Sequence, residues 1–151
     1  MGMAVEVRVS SPGVAADAVV GTRTHVIRLN VAGVTTPEKL FAVLAEGLDF
    51  PGYFGHNWAA LDECFADYFQ LIDGGLGSAF GGRAGIDADT VRIEVAHAGA
   101  LFRAGLLDRF ALTVRHAQES NADVRAADLE LVLDVDDGER DGAVRVLAAT
   151  W

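Results

Sequence analysis

Between Tyr53 and Tyr68 the chain sets a histidine, an asparagine and two tyrosines beside three carboxylates, Asp62, Glu63 and Asp67, with no lysine or arginine in the run. Side chains of these types could ligate a metal, pass protons or attract a cationic partner. Metal ligation lacks its donors. His25, His56, His97 and His116 are scattered, without a His-Glu-x-x-His spacing, and the lone Cys64 can build neither a cysteine-rich zinc site nor an internal disulfide. Asp134-Val-Asp136-Asp137-Gly138 is similar to the start of a calcium loop, but its glycine falls one position early and no glutamate closes it, so a turn is expected. Cys64 has no histidine near it with an orienting group and reads as a packed thiol. The six glycines between Asp73 and Thr90 are followed by no Gly-Lys-Ser/Thr and preceded by no strand, so they read as a flexible linker rather than a phosphate cradle. No catalytic residue, metal or cofactor is expected, which leaves attraction for a cation-rich partner.

The charge pattern sharpens that expectation. The 151 residues carry 22 acids against 12 lysines and arginines, a formal net charge of −10. Nucleic acids and anionic membranes as direct ligands call for a basic face, which this balance argues against. No apolar run approaches the roughly 18 residues that span a bilayer, and Met1–Ser10 lacks the apolar block of a signal peptide. A cytoplasmic protein follows as the expectation. From Lys39 to Arg83 no lysine or arginine intervenes, while Glu46, Asp49, Asp62, Glu63, Asp67 and Asp73 do. A second acidic stretch runs from Asp128 to Asp141, relieved only by Arg140. Concentrated charge of one sign repels itself, which a basic partner would relieve; solubility alone is the plainer use.

Elements must then position the acids. Met1–Ser10 and His25–Val31 alternate as strands do. Thr36 and Pro37 open a helix whose apolar stripe is Leu40, Phe41, Leu44 and Leu48, and Gly47 can end it. A loop of breakers from Asp49 to His56 leads to Asn57, which caps a second helix running to about Phe69. On that helix Trp58, Leu61, Cys64, Phe65, Tyr68 and Phe69 share the core arc, while Ala59, Asp62, Glu63, Ala66, Asp67 and Gln70 fill the opposite one. Val91–Val95 is a strand, Leu101–Gln118 one or two helices, and Leu129–Val135 a further strand. Asp136–Gly142 then reads as a turn and Ala143–Ala148 as a returning strand. Trp151 reads as a tail residue. One α/β domain, residues 1–151, is predicted, with helices packed on a small central parallel sheet in a three-layer-like sandwich and terminal strands added at its edges.

The residues Phe50-Pro51-Gly52-Tyr53-Phe54-Gly55-His56-Asn57-Trp58-Ala59-Ala60-Leu61-Asp62-Glu63-Cys64 resemble the motif of the barstar family, intracellular inhibitors of barnase-type ribonucleases. The likeness extends more weakly from about Thr24 to Asp136, leaving both ends as additions. It implies a three-stranded parallel sheet, no catalysis, and a second helix and preceding loop that plug a ribonuclease active site. Glu63 matches the carboxylate that stands in for a substrate phosphate, Tyr53 the loop aromatic, and Asn57 the residue at the helix start. Gly55 matches a glycine suited to close approach or positive φ, and Tyr68 an aromatic near the helix end. Together with the exposed loop and the outer arc of the second helix, the resemblance gives an expected partner surface of Tyr53, Gly55, His56, Asn57, Ala59, Glu63, Ala66, Asp67 and Tyr68. His116 and Glu119 fall near where the family also meets its enzyme. Two positions depart from the pattern: Ala59 replaces an aspartate, and Glu63 replaces a shorter one. The expected function is that of an immunity-type inhibitor of a basic, extracellular-type ribonuclease or related toxin. A regulatory or scaffold domain that keeps the fold without binding a ribonuclease is the second expectation.

Overall fold

The computed structural model describes residues 3–9 and 23–150; Trp151 and the ends of the Met1–Ser10 segment lie outside them. In chain order the elements are β1 (Met3–Val9), β2 (Thr24–Asn30), α1 (Pro37–Gly47), α2 (Trp58–Tyr68), β3 (Thr90–Ala96), α3 (Gly99–Arg103), α4 (Leu107–Ser120), β4 (Asp128–Val135) and α5 (Arg140–Thr150), with short 3-10 turns at Ser78–Phe80 and Asp137–Glu139. The four strands form one sheet in the order β1-β4-β3-β2, every neighbouring pair parallel. This is the α/β class expected, with the N-terminal strand added at one edge. Because β2, β3 and β4 succeed one another across the sheet, right-handed crossovers carry α1 to α4 over the same face.

Register explains which residues meet those helices. Val5, Leu131, Ile93 and Ile27 lie in one row across the sheet, and Val7, Leu133, Val95 and Leu29 in the next. Their neighbours in sequence point the other way, since side chains alternate along a strand. The rows on that second face are Ala4, Glu130, Arg92, Val26 and Glu6, Val132, Glu94, Arg28. Arg92 lies 3.3 Å from Glu130 and 3.4 Å from Glu94, Arg28 3.6 Å from Glu94, and Arg8 pairs with Asp134. Parallel sheets usually bury apolar residues on both faces; here mutually paired charges take that role on one of them. Under the helices, Leu44, Leu61, Phe65, Phe110 and Val114 are buried against the apolar rows.

Two expectations are corrected. The predicted returning strand at Ala143–Ala148 is the helix α5, which packs on β1 and α4. Ala143 and Leu147, four apart, are its buried residues, a helical spacing that the alternation Val144-Arg145-Val146 masks in sequence. The glycine-rich segment expected as a flexible linker is also built: Leu76 and Ile86 exchange backbone hydrogen bonds of 2.9 and 3.0 Å. A methyl on Gly75 would stand 2.2 Å from the Ile86 carbonyl oxygen, and one on Gly85 2.5 Å from Gly75, so the crossing needs both glycines. Among the described residues no helix is long and apolar enough to cross a membrane.

Candidate functional site

The loop before α2 is anchored from below by aromatic rings. Phe54 meets Phe41 and Phe50 edge-on at centroid distances of 6.4 and 5.1 Å, and Phe50 meets Phe80 at 6.0 Å. With Phe50 and Phe54 buried, the residues between and after them are lifted outward. Tyr53 is 68% exposed, and Gly55, His56 and Asn57 are exposed beside it. His56 Nδ1 lies 3.0 Å from the Phe54 carbonyl oxygen, its ring tilted over the Phe54 ring. The left-handed backbone falls at His56 (φ 49°), not at Gly55; a methyl on Gly55 would instead press on the Asn57 amide at 3.2 Å. Asn57 caps α2 as expected, its Oδ1 accepting from the Ala60 N–H at 2.8 Å.

On α2 the three carboxylates separate into different roles. Asp62 turns toward α4, where Arg109 donates to both of its oxygens at 2.8 and 3.2 Å and the Thr113 hydroxyl donates at 2.8 Å. His116 Nδ1 is 3.2 Å from Asp62 Oδ2. Burial pushes the Asp62 carboxyl up, but these hydrogen bonds outweigh it and hold the group below its usual range. The Arg109 guanidinium also lies 4.6 Å from the centroid of the Trp58 ring, which meets Phe41 edge-on at 4.9 Å. Glu63 is exposed and has no ion pair among the described residues. Asp67, half-buried one turn later, is raised by burial and by the like charge of Glu63.

Glu63, Asp67, Ala59 and Gln70 of this region line a groove of about 370 Å³ whose other wall is His116 and Ser120 of α4. Ala59 is exposed at its rim. Ala66 lies at its floor and is only 5% exposed, its carbonyl accepting from Asn121 Nδ2 at 2.9 Å. Tyr68, 3% exposed, packs edge-on against Phe69 with its phenol pushed up to about 12 by burial. Ala66 and Tyr68, both expected at a partner surface, are therefore corrected to buried positions. Packing of α4 over α2 covers Ala66, and the start of the glycine loop closes on Tyr68, whose carbonyl accepts from Gly77 N–H. Arg109, Gln70 and Ser120 were not expected here. Only Gln70 had a signal, its place on the outer arc of α2. Glu119 faces away to pair with Arg115 at 2.8 Å. Cys64 is buried, and burial raises its thiol, consistent with a packed side chain.

Fold and surface together define an α/β protein that presents an acidic helix and the aromatic-anchored loop before it. Residues 24–77 of the chain match the family model described as Barstar (barnase inhibitor), which bears out the resemblance read from the loop–helix motif. The match takes in β2, α1, the loop and all of α2 and ends in the glycine loop; it does not extend to Asp136. No curated protein matches the chain.

Proposed function

We propose that the chain inhibits a basic, barnase-type ribonuclease or related toxin inside the cell. The loop from Tyr53 to Asn57 and the outer face of α2 would occupy the enzyme's active site, with the Glu63 carboxylate in place of a substrate phosphate. The observation that carries this reading is the family match over the segment that holds the protruding Tyr53 and the unpaired Glu63. A carboxylate without an internal partner is free to accept charge-assisted hydrogen bonds from guanidinium or ammonium groups that otherwise hold RNA phosphates. Gly55, His56, Asn57 and Ala59 share that exposed surface, and Asp67 stands one turn further along it.

The chain and its Glu63→Arg variant, checked for equal folding by circular dichroism, would be titrated against RNA cleavage by a panel of basic secreted ribonucleases of the barnase type. One-to-one inhibition by the native chain, weakened by a hundredfold or more in Glu63→Arg, is expected. Failure of the native chain against every enzyme of the panel would reject the inhibitor reading. A regulatory domain on the same fold would then stand in its place, a reading favoured by Ala59 at a position where the motif has an aspartate.

A further inference from the structure

β1 and α5, which both lie outside the 24–77 match, come together at one edge of the sheet: among the described residues β1 pairs only with β4, and α5 packs beside it. The strand Met3-Ala4-Val5-Glu6-Val7-Arg8-Val9 is seven residues long and contains none of the prolines or lysines that commonly protect a free edge. Next to it Val5 and Val7 line an open groove of about 440 Å³ with Val144, Leu147, Ala148 and Arg140 of α5. Val144 is a large apolar side chain left 40% exposed. Arg140, Val144 and Ala148 follow one another at helical spacing, so the outer wall of this groove carries two apolar side chains with an arginine at one end.

We propose that this edge is the interface of a homodimer, in which β1 pairs antiparallel with β1 of a second copy and the two sheets join into one. Charge selects both the partner and the register. For two copies related by a two-fold axis through the sheet, opposite residues must share a face, so the pairing is centred on a residue rather than between residues. Centred on Glu6 it would set glutamate against glutamate, and centred on Arg8, arginine against arginine. Centred on Val7 it sets Glu6 of each copy against Arg8 of the other, with Val5 opposite Val9 on the helix-bearing face. Glu6 has no ion pair among the described residues, and Arg8 already holds Asp134 across the β1–β4 pair. The dimer would therefore complete a row of Asp134, Arg8 and the second copy's glutamate. The opposite edge, β2, offers no such register: its polar-face residues Thr24, Val26, Arg28 and Asn30 include no acid to face Arg28. The surface of α2 is on other elements and takes no part in this pairing.

The molar mass of the full chain would be measured by light scattering after size exclusion over a range of concentrations, beside Glu6→Arg, Arg8→Glu and Val144→Glu. The native chain should run at twice the chain mass, and each variant, folded by circular dichroism, at the single mass. Glu6→Arg mixed with Arg8→Glu should recover the doubled mass, because the mixed pair again sets unlike charges opposite at both positions. If Arg8→Glu fails to fold without its Asp134 pair, Glu6→Arg and Val144→Glu decide alone. A native chain that stays monomeric at several hundred micromolar overturns the proposal. So does a dimer that Glu6→Arg and Val144→Glu leave intact.

Discussion

Asp62 and Glu63 are adjacent in the chain and carry the same charge, yet their surroundings give them opposite tasks. Asp62 satisfies Arg109, Thr113 and His116 on α4, so its carboxylate belongs to the joint between two helices. Replacing it with alanine takes the closest acceptor from a partly buried guanidinium and a fully buried hydroxyl, which should cost about 1–3 kcal/mol in urea unfolding. Glu63→Ala removes an exposed group with no internal partner and should change stability by no more than about 0.5 kcal/mol. In the inhibition assay Glu63→Ala should lose more than Asp73→Ala. Acid should expose the same division. The Asp62 pKa is lower in the folded chain than in the unfolded one, so the stability it contributes is complete above the ordinary aspartate pKa and disappears as pH falls through the folded value. Between about pH 5 and pH 2 the native chain should therefore lose more stability than Asp62→Asn, whose amide cannot titrate. Parallel losses in the two proteins would place the acid sensitivity elsewhere.

At the scale of elements, what could be read from sequence was what local chemistry decides. Thr36 and Asn57 cap α1 and α2 because a short polar side chain ahead of an apolar stripe satisfies the free N–H groups nearby. The strands showed themselves by apolar alternation. What stayed hidden depends on partners far along the chain. The outer arc that includes Ala66 assumes a helix with one covered face, whereas α4 covers a second face of α2. In sequence Asp62 falls within a cation-free window because Arg109 is 47 residues away. The last helix was hidden for a different reason: with valines two apart, Val144-Arg145-Val146 fits a strand until the sheet edge selects Ala143 and Leu147 as the buried pair. Removing the terminus is consequently no clean test of partner binding, since α5 is part of the packing. Leu147→Ala is the sharper variant. It should destabilise the fold by roughly 2–5 kcal/mol, as truncation of a buried leucine does, while leaving ribonuclease inhibition unchanged at temperatures where the chain is folded. A matching fall in inhibition would show that the added edge reaches the enzyme.

Across the whole molecule, folding redistributes the net charge of −10 rather than merely carrying it. Of the seven acids between Asp128 and Asp141, Glu130, Asp134 and Glu139 find arginines from distant elements, and Asp141 has Arg140 at 4.0 Å. The window around α2 is compensated less: Arg109 takes Asp62 and Arg83 reaches Asp49, while Glu46, Glu63, Asp67 and Asp73 keep their charge without an ion pair among the described residues. The stretch that carries the loop and α2 therefore keeps an excess of unpaired negative charge, with Glu63 and Asp67 on α2 itself. The field of such an excess speeds encounter with a basic protein, for which the barnase–barstar pair is the reference system, and salt weakens it. The association rate with an inhibited ribonuclease should fall steeply as salt is raised, and the dissociation rate should change much less. Asp67 adds a dependence on protons. Burial and Glu63 raise its pKa, and a cation arriving from the enzyme favours its charged form, so binding should release protons in the mildly acid range just above the ordinary aspartate value. Calorimetric titrations in buffers of different ionisation enthalpy count those protons directly. Release that persists in Asp67→Asn would assign them to another group, and an association rate indifferent to salt would mean that this charge does not guide the encounter.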